Sequence, residues 1–76
     1  MNNDRRKRIN DIIEQTKSIQ SNIEEILTDE ETALDNMPEN LKDSDKAFSS
    51  QVAIDNLDLA YDTCDDLIDY LTESVV

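Results

Sequence analysis

The chain has 76 residues with nineteen acids and seven bases, and its formal net charge is −12. It has no glycine, no histidine and one cysteine, which excludes Gly-rich phosphate loops, G-x-S-x-G nucleophile elbows, histidine-based catalysis or zinc binding, and internal disulfides. We therefore expect one small domain over residues 1–76 that is not an enzyme, holds no cofactor or metal, and resides in a reducing compartment.

The chain opens with a basic cluster, which consists of Arg5, Arg6, Lys7 and Arg8. Polar residues interrupt the apolar ones that follow, so the apolar core of a signal peptide, about 7–15 residues, is missing. No stretch approaches the roughly 18 apolar residues of a transmembrane span. We expect a soluble, cytoplasmic protein that does not bind a membrane.

The first predicted helix covers residues 4–36. Its repeat steps by three and four residues through positions 9, 12, 16, 19, 23, 26, 30, 33 and 37, which read Ile, Ile, Thr, Ile, Ile, Ile, Glu, Ala and Met. This spacing predicts an amphipathic helix in which these positions form the contact stripe, the row of residues that faces the partner helix. Pro38 disfavours the α conformation at Met37 and ends the helix there.

A connection over residues 37–44 leads to a second predicted helix, residues 45–74, which Asp43 or Ser44 can cap. Its contact stripe is predicted at positions 47, 50, 54, 57, 61, 64, 68, 71 and 75, which read Ala, Ser, Ile, Leu, Tyr, Cys, Ile, Leu and Val. Two helices of similar length with a short connection predict an all-α fold, an antiparallel two-helix hairpin.

The apolar surface of both predicted helices is wider than one helix–helix contact needs. Three residues flank the first stripe, and three more flank the second: Ile13, Leu27 and Leu34, then Ala53, Ala60 and Leu67. A small single core rarely supplies more than a few kcal/mol. We therefore expect the hairpins to assemble into a homo-oligomeric helical bundle of coiled-coil type, most simply a dimer.

Polar residues on the contact stripes are interpreted as structural. Glu30 lies opposite Ser50 near the connection, where it sets the register instead of binding a metal. Thr16 is expected to bond to its own backbone. Cys64 is expected to act as a small buried apolar residue, because no histidine is present to activate its thiol.

The second helix carries the net negative charge, since residues 47–76 hold seven acids and no base. Five of the acids step by three and four and form the acidic face: Asp55, Asp58, Asp62, Asp65 and Asp69. The row is about 21 Å long with neighbours about 5–6 Å apart, comparable to successive phosphates on a DNA strand. The face is either simply solvated, or it imitates nucleic acid and occupies a basic groove on another protein.

Apolar residues among these acids, such as Val52, favour a protein-binding surface. The candidate partner-binding residues are Asp55, Asp58, Leu59, Asp62, Asp65, Asp66, Asp69 and Tyr70.

The basic cluster has two interpretations. In a hairpin it lies beside the end of the second helix and can pair with Asp69, Glu73 and the C-terminal carboxylate. Alternatively it binds an anionic nucleotide, with candidate side chains Arg5, Arg6, Arg8 and Lys17. Direct binding of long nucleic acid is not expected, because the acids beyond the cluster would repel it.

The opening RRKR, the segment DEETALDNMPENLKDSD and the following AIDNLDLAYDTCDDLIDYL resemble small acidic helical-hairpin proteins of phages and prophages of Gram-positive bacteria. The likeness covers nearly the whole chain. It implies location in the cytoplasm of a bacterial host and a non-enzymatic, anti-defence role, as in anti-CRISPR proteins that look like nucleic acid.

The resulting hypothesis is an inhibitor that docks its acidic face on a basic, nucleic-acid-binding surface of a host protein. Two alternatives stay open. One is an oligomeric sponge that traps a cyclic or other anionic nucleotide with the basic cluster. The other is a structural or assembly factor of phage development.

Overall fold

The computed structural model describes all residues, 1–76, and consists of two helices joined by a short segment. Helix α1 spans Asn3–Asp35, a 3₁₀ turn spans Glu39–Leu41, and helix α2 spans Asp45–Ser74. The helices pack side by side in an antiparallel hairpin about 60 Å long and 15 by 12 Å across. The predicted all-α hairpin is confirmed, and each helix boundary lies within one residue of its prediction.

Local hydrogen bonds set the ends of both helices. The Asn2 side chain accepts from the backbone N–H of Arg5 at 2.9 Å, and the Ser44 side chain accepts from that of Ala47 at 3.3 Å. Each bond satisfies one of the N–H groups that a helix start leaves without an intrahelical partner. Helix α1 ends at Asp35, three residues before Pro38, which cannot continue the hydrogen-bond pattern.

The contact stripe of α2 is confirmed: all nine predicted positions are buried or half-buried. The contact stripe of α1 is partly wrong. Ile13 and Leu27, expected at its flank, are buried, and Leu34 is half-buried. Four residues of the predicted stripe are exposed instead: Ala33, and Ile12, Ile19 and Ile26 at 44%, 54% and 56%. The residues of α1 that face α2 are Ile9, Ile13, Thr16, Gln20, Ile23, Leu27, Glu30 and Leu34.

Helix α1 thus faces α2 with a different side from the predicted one, and polar contacts across the hairpin accompany this orientation. The Gln20 amide donates to the main-chain oxygen of Tyr61 at 3.1 Å and to the Asp65 carboxylate at 2.7 Å. Nearer the connection, the Ser50 hydroxyl donates to Glu30 at 2.6 Å, as the sequence predicted. Because an unsatisfied buried polar group costs about 1–3 kcal/mol, these bonds are what allows Gln20 and Glu30 to lie in the contact stripe.

The resulting core is thin. Seven of the 76 residues are buried, and three of those seven are polar: Thr16, Gln20 and Ser50. The Thr16 hydroxyl donates to the carbonyl of Ile12 at 2.8 Å, as expected. No helix combines the length and the apolar character needed to cross a membrane.

Candidate interaction face

The acidic face lies on the solvent side of α2. Its five aspartates are exposed, and so are Asp66 and Glu73, which extend it. None of these seven acids takes part in an ion pair. Two of them accept hydrogen bonds from neutral amides: Asp55 from Gln51 at 2.9 Å and Asp65 from Gln20 at 2.7 Å. The negative charge of α2 is therefore uncompensated within the chain.

Helix α1 adds acids to the same side of the hairpin. Glu24 is close enough to Tyr61 of α2 that its carboxylate, before any other cause, raises the pKa of that phenol. Partial burial contributes next, followed by Asp65 and Asp62. The three carboxylates disfavour the anionic tyrosinate by like-charge repulsion, and burial disfavours it by desolvation. Carboxylates from both helices therefore lie near Tyr61.

A shallow groove nearer the connection has the same character. Its lining combines Glu31 and Asp35 of α1 with Gln51 and Asp58 of α2. Sequence reasoning missed Glu24 and Glu31 as members of this surface. They directly follow contact-stripe positions 23 and 30, but the side of α1 that adjoins the aspartates depends on how the two helices pack. We call the two-helix surface the extended acidic face, defined by the five aspartates together with Glu24 and Glu31.

Apolar side chains stand among the acids of α2. Leu59 is 63% exposed and Tyr70 is 76% exposed, as expected for residues on the outer surface of the helix. Val52 is also exposed, one heptad before Leu59. Apolar groups beside charges are typical of surfaces that bind another protein.

The basic cluster is engaged mainly within its own helix. Lys7 pairs with Asp11 at 3.0 Å, and Arg8 approaches Asp4 at 3.8 Å. Arg6 reaches the end of α2, where its Nε donates to the main-chain oxygen of Val76 at 2.9 Å.

The predicted pairing with Asp69 and Glu73 is wrong, because no base reaches either acid, whereas the predicted contact with the C-terminal residue is made by Arg6. A base pairs most readily with an acid four residues away on the same helix, because side chains at this spacing lie about 5–6 Å apart.

The four candidate anion-binding side chains do not converge on one site in the hairpin. Arg5 bonds to Asn2, Arg6 to Val76, and Lys17 pairs with Glu14 at 3.4 Å. Lys17 follows Arg8 by nine residues, about 14 Å along the helix.

Groups capable of other chemistry are sparse. Cys64 is a half-buried free thiol on the contact stripe. No cluster of three or more histidine, cysteine, aspartate or glutamate side chains is arranged to hold a metal ion.

The chain matches no known protein family, no curated protein and no solved structure.

Proposed function

We propose that this protein is a non-enzymatic interaction protein that docks its acidic face on a basic, nucleic-acid-binding surface of another protein. The observation that carries the proposal is the row Asp55–Asp69, which is exposed along its whole length and has no neutralising base. A protein that binds nucleic acid presents lysine and arginine at phosphate spacing, and a fixed row of carboxylates can occupy those positions.

Two further features support a binding role over simple solvation. The extended acidic face draws acids from both helices, so its potential extends over the width of the hairpin. Leu59 and Tyr70 supply apolar contacts that a purely solvated surface does not need. Binding would exclude the target's nucleic acid by steric and electrostatic competition, with fast and salt-sensitive association.

The resemblance to phage and prophage hairpins suggests the class of target. We propose a bacterial host protein, and within that class a defence protein that works on nucleic acid. We also propose that the protein acts as a homo-oligomer, with a dimer as the smallest form, because the hairpin alone leaves much apolar surface exposed.

The test compares target capture by the wild type and by a triple variant, Asp58→Asn, Asp62→Asn and Asp65→Asn. Each immobilised protein is incubated with a lysate of a Gram-positive bacterium, and the captured proteins are identified by mass spectrometry. The wild type should capture a nucleic-acid-binding protein that added duplex DNA or RNA releases. The triple variant should lose at least tenfold of this capture while circular dichroism shows unchanged helicity.

A second triple variant serves as the matched control: Glu25→Gln, Asp29→Asn and Asp43→Asn. It also removes three negative charges, but from exposed positions away from the acidic face. It should capture the target nearly as well as the wild type. If both variants lose capture equally, the loss is due to the change in net charge and not to the acidic face. If the first variant captures the target fully, the acidic face is not the binding surface.

A further inference from the structure

The side of the hairpin opposite the extended acidic face is apolar. Ile12, Ile19 and Ile26 are one heptad apart on α1, and each is about half exposed. Ala33 continues the same row and lines a groove together with Lys46, which begins the corresponding row of α2. We call the two rows together the apolar side; its apolar members are Ile12, Ile19, Ile26, Ala33, Ala53, Ala60 and Leu67.

The exposed row of α1 is more apolar than the buried row of the same helix. The buried row of α1 includes Thr16 and Gln20, and its partner row on α2 includes Ser50. The exposed row of the same helix holds three isoleucines. Full burial of one isoleucine stabilises the folded state by about 1.5–3 kcal/mol relative to leaving it exposed. The single hairpin lacks a large part of this stabilisation, because these isoleucines remain in contact with water.

The charge on the apolar side indicates which occupant it suits. The heptad rows through positions 5–33 and 46–74 contain two bases, Arg5 and Lys46, and no acid. All nineteen acids of the chain lie elsewhere. A basic partner would be drawn to the extended acidic face instead. A second copy, which also carries −12, meets the least repulsion on the acid-free side.

The exposed area is consistent with a missing layer. A folded monomer of 8.7 kDa exposes about 4,700 Å² on average, whereas this chain exposes 5698 Å². The excess of about 1,000 Å² is similar to the roughly 800 Å² that each partner buries in a stable interface.

We propose that a second copy of this chain covers the apolar side and forms an isologous homodimer, a four-helix bundle with an extended acidic face on each outer surface. The same rows from both copies make the contact. The isoleucines on α1 are large and the alanines on α2 are small, so that isoleucines of one copy can pack beside alanines of the other. This dimer is the specific form of the homo-oligomer in the proposed function. Its formation does not depend on what the acidic face binds.

The first experiment measures mass by sedimentation equilibrium over a range of protein concentrations. The wild type should reach twice the 8.7 kDa chain mass. Its melting temperature should rise with concentration, because association stabilises the folded state by mass action. A helical wild type with the mass of one chain at every concentration would overturn the proposal.

Two double variants locate the interface. Ile19→Gln with Ile26→Gln should weaken self-association at least a hundredfold. Val52→Gln with Leu59→Gln, which alters exposed apolar residues on the outer surface of α2, should leave it unchanged. A dimer that resists the first change and yields to the second would place the interface on the acidic face and refute the proposal.

Cross-linking shows which residues lie close together in the dimer, and it does not require a variant that disrupts the interface. In a Cys64→Ala background, a mixture of Ile19→Cys chains and Ala60→Cys chains should form a covalent dimer with a short bis-maleimide, and Leu59→Cys chains should not. The reverse pattern would contradict the proposal. The acidic-face triple variant should remain dimeric, so loss of target binding and loss of self-association are separate results.

Discussion

Gln20 and Tyr61 show how individual residues connect the core to the acidic surface. The Gln20 amide bonds to the main-chain oxygen of Tyr61 and to Asp65, and so joins the contact stripe to the acidic face. Tyr61 is half-buried, and its phenol lies close enough to Glu24 of the other helix for that carboxylate to raise its pKa. The environment of this one phenol therefore depends on the correct pairing of α1 with α2.

We expect Glu24→Gln to lower the pKa of Tyr61 toward its ordinary value, because Glu24 is the largest cause of the raised pKa. Tyrosinate absorbance, titrated in a Tyr70→Phe background, measures the change. Glu25→Gln, one residue away, should leave the titration unaltered. An unchanged pKa in the Glu24 variant would mean that the two helices are paired in a different register.

The sign of the linked stability effect follows from the same pKa. The native state holds the Tyr61 proton more tightly than the unfolded state does. The free energy of unfolding should therefore decrease as the pH rises from the ordinary tyrosine pKa of about 10 through the raised native value. Glu24→Gln should weaken this decrease in urea titrations across that pH window.

At the scale of the helices, local sequence signals set where each element begins and ends. Asn2 and Ser44 supply the capping oxygens, and Pro38 keeps the connection out of the helix. Both helices are long, 33 and 30 residues, and neither contains glycine. Since interior glycine costs about 1 kcal/mol per site, its absence favours helices without interruptions.

Ser44→Ala should destabilise the protein by about 1 kcal/mol, because the N–H of Ala47 loses its capping oxygen. Ser44→Thr should retain the stability, since threonine keeps both the capping oxygen and the hydroxyl that donates to the carbonyl of Leu41. Chemical denaturation at one fixed protein concentration measures both variants. Equal stability of Ser44→Ala and the wild type would show that the cap makes no net contribution.

At the scale of the whole molecule, the two sides of the hairpin have opposite characters. The extended acidic face concentrates negative charge, and the apolar side carries none. The four ion pairs are all local to α1 or the connection, on exposed side chains worth at most about 1 kcal/mol each. Repulsion among the acids is therefore the dominant long-range electrostatic effect in this chain.

Added sodium chloride should raise the melting temperature, because screening shortens the reach of this repulsion from about 30 Å at 0.01 M to about 3 Å at 1 M salt. The variant Asp58→Asn, Asp62→Asn, Asp65→Asn should show a smaller salt effect, since part of the repulsion is already removed. Thermal scans at several salt concentrations measure both. A melting temperature that falls with salt would indicate that attractive ion pairs dominate instead.

The sequence by itself determined the number of helices, their boundaries, the antiparallel arrangement and the row of aspartates on α2. These depend on short-range chemistry: three-and-four spacing, capping side chains and a proline. It also predicted Glu30 opposite Ser50, because the length of the connection fixes which residues lie level near the turn.

Only the tertiary structure decided which row of α1 is buried. Adjacent helical residues are separated by about 100° around the axis, so Ile12 and Ile13 are nearly equivalent candidates in the sequence. The choice depends on long-range contacts between the helices, among them the bonds from Gln20 to Tyr61 and Asp65. The same rotation leaves three isoleucines outside and brings Glu24 beside the aspartates. The interaction surfaces of this protein are thus a consequence of helix packing as much as of composition.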